Sequence, residues 1–203
     1  MTLKNLLCTT LCFWILFTAS VVKAADALIA LGAGFAQDRN TLSDQSPVSD
    51  YAYNVAAYAP LTRGDRILYL GIEYLATAIN QSLDATTKAT LISTDFMLAL
   101  KYGFAENELF AITAGFSPYT QAQYKVTALS KDTWYGTSYI AKLSIQPDLG
   151  LKGTKLKVAA SILYYHSAYT KKSNNSAATS SSGSLESFER SFTLPTIELI
   201  FKF

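Results

Sequence analysis

The residue types that do chemistry are scarce in this chain of 203 residues: one histidine, two cysteines, and 15 acids against 17 bases. The histidine lies in the string Tyr164-Tyr165-His166-Ser167, which sets a base beside a hydroxyl. On an extended strand, adjacent side chains point to opposite faces, so Ser167 cannot meet His166. Ala168 fills the position from which a serine could. The expectation is an interfacial histidine at a strand end. With two cysteines, a metal cluster or a disulfide framework has almost no raw material. Four charges do share a pattern: Glu73, Lys101, Lys142 and Glu198 fall on one strand parity, at middle or lower depth. Two acids and two bases can cancel there as a salt-bridged plug, because an unpaired ion in low dielectric costs several kcal/mol. An ion or proton path through the same charges is the competing use. No catalytic residue, cofactor or metal is expected from this inventory, and the chain reads as a non-enzyme. A formal charge of +2, with no basic patch, argues against nucleic acid as partner.

The elements that must position these residues show period-two alternation in eight segments of about ten residues, separated by turn signals. They run Ala27 to Gln37, Tyr51 to Leu61, Ile67 to Ala78, a fourth ending at Phe104, Leu109 to Tyr119, Trp134 to Gln146, Lys155 to Ser167, and Phe188 to Phe203. In the third, Leu68, Leu70, Ile72, Tyr74 and Ala76 oppose Tyr69, Gly71, Glu73, Leu75 and Thr77. Connections alternate as well. Asp38 to Asp50, Ile79 to Thr90, Thr120 to Thr133 and Ala168 to Ser187 are long and polar. Those at Thr62 to Arg66, Ala105 to Glu108 and Pro147 to Thr154 are mostly shorter. Such regularity is expected when strands cross a layer and every second turn faces a different compartment. The Ser/Asn/Thr tract after Lys171-Lys172 reads as a solvated outer loop. A solubilising role for the two lysines outweighs contact with lipopolysaccharide phosphates, since single rim charges contribute little.

The first 24 residues read as an address. Lys4 precedes an apolar stretch from Leu6 to Val22, which ends in the small-residue pattern Val22-Lys23-Ala24, as in a secretory signal peptide; an uncleaved anchor is the alternative. Cleavage would leave residues 25–203 as one barrel domain with no cysteine. It would also remove Lys4 and Lys23 but no acid, so bases would equal the 15 acids. Beyond Ala24 no apolar run is long enough for a spanning helix.

Which face is wet decides the fold. With 50% hydrophobic and 16% charged residues and a mean hydropathy of +0.17, the second face of each segment holds mostly Gly, Ala, Ser, Thr and Tyr, with about one charge per strand. That is too poor for an exterior in water. It suits the crowded interior of a narrow barrel whose Leu/Ile/Val/Phe face meets lipid. Aromatics near strand ends, Tyr51, Tyr53, Tyr102, Phe104, Phe116, Tyr119, Tyr139, Tyr164, Phe201 and Phe203, are expected to form interfacial girdles. The fold class expected is all-β, an eight-stranded antiparallel up-and-down transmembrane β-barrel. A lipocalin-like periplasmic carrier, extractable without detergent, is the soluble competitor.

The terminal run Thr196 to Phe203 alternates and ends in phenylalanine, with Leu199, Phe201 and Phe203 on one face. It resembles the last strand that the bacterial barrel-assembly machinery recognises. With the signal peptide and eight strands, the chain resembles the small outer-membrane barrels of the OmpA transmembrane-domain and OmpX type. That resemblance implies the outer membrane as location, outer-membrane lipid and lipopolysaccharide, periplasmic chaperones and the barrel-assembly machinery as partners, and a structural or surface-interaction role. A narrow channel or transporter for ions or small apolar molecules is the alternative, and a lipid-modifying enzyme trails. Lipid A deacylase barrels set a His and a Ser two residues apart, a spacing that His166 and Ser167 do not match.

Overall fold

Alternating segments with one apolar face close on themselves when the first can pair with the last, and this chain does so. The computed structural model describes residues 27–38, 48–62, 66–82, 88–126, 132–149, 155–174 and 187–203. The expected signal peptide lies outside the described residues. The eight strands are β1 (Leu28–Asp38), β2 (Val48–Pro60), β3 (Ile67–Ser82), β4 (Lys88–Phe104), β5 (Phe110–Val126), β6 (Asp132–Ile145), β7 (Leu156–Asn174) and β8 (Phe188–Lys202). Each pairs antiparallel with its neighbour in sequence, and β8 pairs back onto β1, giving a closed up-and-down barrel. The expected strand count and topology are met.

Parity is also as read from the sequence. Along β3, Tyr69, Glu73, Leu75 and Thr77 are buried while Leu70 and Ile72 are exposed; along β8, Thr196, Glu198 and Ile200 are buried while Ile197 and Leu199 are exposed. Following register partners from Leu28 through Tyr58, Gly71, Ala99, Gly115, Ile140 and Tyr165 leads to Phe192. The β1–β8 register, extended, sets Phe192 opposite Asp38, ten residues along β1 from the start. This stagger tilts the strands, and an eight-stranded ring so tilted leaves an interior that side chains can fill.

The long connections are shorter than their composition suggests. β5 runs on to Val126 and β7 to Asn174, through stretches expected to be loop, and β4 already begins at Lys88. Hydrophobic alternation marks only the greasy part of a strand. Beyond it, Gln121 and Gln123 keep the backbone ladder while the outward face turns polar and Ala122 stays buried inside. A bulge hides the continuation of β5. Between Ser117 and Thr120 the register against β4 and β6 slips by one residue, so Pro118 and Tyr119 both face outward and Thr120 and Ala122 return to the interior. Pro118 has no N–H to donate, which suits it to such a break.

At the opposite end, β4 and β5 join through a short 3-10 turn, Glu106–Glu108, in which Ala105, Asn107 and Glu108 all have positive φ. Ala105, at φ 65 and ψ 173, occupies backbone space that is essentially glycine's. Ala105→Gly is therefore expected to raise the urea unfolding midpoint, by about 1 kcal/mol of stability. An unchanged or lowered midpoint would show that the turn is not strained there.

Candidate functional site

The interior is a stack of side-chain layers, built because alternate residues of eight strands converge on one axis. The lowest layer is carried by the 3-10 turn, which folds Glu108 back into the barrel mouth. Its carboxylate accepts hydrogen bonds from Tyr69 OH at 3.0 Å and Lys202 Nζ at 2.9 Å. Its backbone carbonyl accepts one from Gln146 Nε2 at 2.7 Å. Lys157 donates to the carbonyl of Asn107. The turn thus corks the short-connection end.

Above it lie the four charges picked out in the sequence. Lys142 Nζ is 2.7 Å from Glu73 Oε1 and 2.7 Å from Glu198 Oε1, with all three residues almost fully buried. Tyr58 OH donates to Glu73 Oε2 at 2.9 Å, and Asn54 Nδ2 donates to Glu198 Oε1 at 2.8 Å. Gly32 makes room for the latter pair, because a Cβ there would strike Asn54 Oδ1 and Glu198 Cγ. Lys101 reaches the group differently. It forms no salt bridge among the described residues, and its Nζ stands 5.7 Å from the centroid of the Tyr58 ring. Three of the four charges are therefore in direct contact, and the fourth is joined through an aromatic face.

An apolar septum follows. Leu75, Met97, Ile140, Leu163 and Leu194, from five different strands, are at most 2% exposed and pack together with Ala52.

The upper layer was mostly missed by sequence reasoning. Asp95, recognised only as facing inward, accepts hydrogen bonds from Ser138 Oγ at 2.6 Å and Tyr165 OH at 3.1 Å. Arg190 Nη1 donates to Thr77 Oγ1 at 3.0 Å and Ser93 Oγ at 3.2 Å. Its guanidinium carbon lies 4.4 Å from the centroid of Phe192. Asp50 faces it, with Oδ1 3.9 Å from Nη2. Arg190 shares the parity of Glu198 on the same strand, a count that would have found it. Asp50 and Glu108 stood in stretches read as connections.

On the outside, aromatic rings meet near both strand ends: Tyr102 with Phe104 and Phe104 with Phe110 at one end, Phe35 with Tyr51 and Tyr119 with Tyr135 towards the other. Leu199, Phe201 and Phe203 all face outward. Ser167 is buried on the opposite face from His166, as the spacing required. His166 Nδ1 instead hydrogen-bonds Ser191 Oγ at 2.7 Å across the β7–β8 register and stacks on Tyr139. Among the described residues no carboxylate is hydrogen-bonded to its ring. The side chains of Lys171 and Lys172 lie outside what is described.

No group of three or more metal-ligating side chains comes together among the described residues. No protein-family model matches the chain, and no curated protein matches it. Among solved structures, the chain is similar to the crystal structure of Neisserial surface protein A (NspA), at 12% sequence identity and a TM-score of 0.47, over 88% of this chain and 97% of that one.

Proposed function

We propose that this chain is an integral outer-membrane β-barrel with a closed, side-chain-filled lumen, acting structurally or through its surface rather than as an enzyme or a channel. The observation that carries this is the outward belt. Leu31, Val55, Ile72, Leu98, Ile112, Leu143, Ile162 and Ile197, one from each strand, are 43–64% exposed, while the charges of the middle layer are buried against each other. A soluble protein does not carry a continuous apolar girdle of that kind, and closure of the sheet satisfies the backbone that lipid cannot. The cork at Glu108 and the leucine-rich septum both support an interior that conducts nothing, since a dry apolar constriction excludes ions. Leu199, Phe201 and Phe203 fit the outward residues of a terminal strand read by the barrel-assembly machinery after delivery by periplasmic chaperones. The belt fits outer-membrane lipid and lipopolysaccharide as its surroundings.

The test is recovery from membranes followed by planar-bilayer recording. The protein is expected to require detergent for extraction and to give no sustained openings. Reproducible conductance steps would replace the closed-barrel role with the channel, and extraction by salt alone would remove the membrane reading.

A further inference from the structure

The barrel wall is not equally closed all the way up. β1 extends to Asp38 and β8 begins at Phe188, yet the two strands pair only from Leu28–Lys202 to Gly34–Thr196. Above Gly34, among the described residues, residues 35–38 of β1 pair only with β2, and residues 188–195 of β8 only with β7. At Gly34 itself the strands touch closely: a Cβ there would lie 2.5 Å from Thr196 Cγ2 and 2.7 Å from the Pro195 carbonyl oxygen. The next position of β8 is Pro195, which has no N–H with which to continue the ladder. The seam therefore parts immediately above a tight join.

Two features meet at that parting. Outside it lies a groove of about 740 Å³, lined by Phe35, Tyr53, Ile162, Pro195 and Ile197 among others. Ser161 and Thr196, whose parity is inward, also line it, so the groove is deepest against the wall just below the parting. Inside is Arg190, which extends from β8 past the unpaired stretch of β1 towards Asp50 on β2 and Thr77 and Ser93 on β3 and β4. It is only 8% exposed, and its Nε and Nη2 have no hydrogen-bond partner among the described residues. Those two N–H groups form the side-on edge of a guanidinium, the edge that grips a two-oxygen acceptor with parallel hydrogen bonds. The contact from Asp50 at 3.9 Å to Nη2 is an ion pair beyond hydrogen-bonding reach and leaves that edge open.

We propose that the parted β1–β8 seam is a binding site for a long-chain carboxylate, its acyl chain in the outer groove and its headgroup on the Nε/Nη2 edge of Arg190. The groove supplies apolar surface for one chain, and the buried fork supplies orientation. Asp50 selects the headgroup: a monoanion can share Arg190 with it, whereas the second charge of an alkyl phosphate is opposed. This site rests on the membrane reading, because it draws its ligand from the acyl layer, but its failure would look different.

The protein is purified in a non-ionic detergent, and oleate is titrated against a fluorescent fatty acid. Oleate is expected to displace the probe, with oleyl alcohol roughly tenfold or more weaker and dodecyl phosphate weaker than laurate. Arg190→Gln is expected to weaken oleate roughly tenfold or more, Arg190→Lys to recover only part of that, and Asp50→Asn to strengthen it. Folding of each variant is read from its heat-dependent gel mobility. A variant with Phe35→Cys and Pro195→Cys decides the matter even if Arg190→Gln does not fold. Oxidised, it joins the strands where the chain would cross the wall and is expected to lose oleate; reduced, it is expected to regain it. Equal binding by oleate and oleyl alcohol, unchanged affinity in folded Arg190→Gln, or oleate binding in the oxidised double variant would each overturn the site. If wild-type protein enters lipid vesicles yet binds no oleate, the site is wrong and the membrane barrel stands. If it does not enter them, the membrane reading itself has failed.

Discussion

Lys142→Leu is expected to cost the folded barrel about 3–5 kcal/mol, the penalty for removing one partner from a buried ionic group. The magnitude follows from what is left behind. Glu73 and Glu198 both place an oxygen 2.7 Å from the missing ammonium, and both are at most 3% exposed. Without it, two carboxylates face each other in a low-dielectric lumen, and one must take up a proton or the barrel must open. Lys101 cannot replace it directly, being placed against the ring of Tyr58. Glu73→Gln is expected to cost less, about 1–3 kcal/mol, because Lys142 keeps Glu198 and Tyr58 keeps an acceptor. The diagnostic is the quadruple variant Lys101→Met, Lys142→Leu, Glu73→Gln, Glu198→Gln, which includes Lys101 because it would otherwise stay behind as a buried cation without its acids. It should regain most of the loss, since an uncharged layer has no stranded ion. Urea unfolding in lipid vesicles, followed by the fluorescence of Trp134, gives the ranking. A Lys142→Leu barrel as stable as the parent, or a quadruple variant worse than the single, would show that these charges do not act as a neutralised plug.

The physical origin of the sequence signal explains where it stopped. A strand that crosses from water through lipid must alternate, so the eight strands and the facing of Glu73, Lys142 and Glu198 could be counted off at period two. That signal depends on contrast between faces. It vanished at Gln121 and Gln123, where the ladder continues but the outward face is no longer apolar and the inward one holds only a small alanine, and it was shifted by the bulge at Ser117–Thr120. Contacts between strands were a different matter. Parity places Asp95 and Arg190 inside, but only the register and stagger bring Arg190 to Thr77, more than a hundred positions away in the chain. The same holds for Ser191 opposite His166. Neighbours in sequence are the wrong place to seek a partner when residues on adjacent strands meet face to face. Glu108 was hidden for a local reason: a turn with three positive-φ residues re-aims its side chain, and no composition rule marks that.

Leu98→Arg is expected to destabilise the barrel in lipid by about 2–4 kcal/mol, and the sign of this effect separates membrane from water as the surrounding solvent. Leu98 faces outward on β4, is 61% exposed, and sits mid-strand, with Ile92 and Phe96 on one side and Leu100 and Tyr102 on the other along the same face. Its register partners, Ile72 on β3 and Phe116 on β5, are also apolar and outward. A guanidinium placed there is set among apolar and aromatic neighbours, with no acid at either register partner. In acyl chains it must thin the bilayer or bend to the interface. In a soluble barrel, a surface leucine changed to arginine would alter stability by no more than about 0.5 kcal/mol and would improve solubility. Thr94→Arg, nearer the long-connection rim of the same face, is the depth control. In lipid its cost should fall to about 0–1 kcal/mol, because the side chain can reach water. Unfolding free energies in vesicles of defined thickness measure both. The difference between the two positions, rather than either value alone, carries the argument: a gradient with depth requires an apolar slab outside the barrel, and equal small effects at both positions would place water there instead.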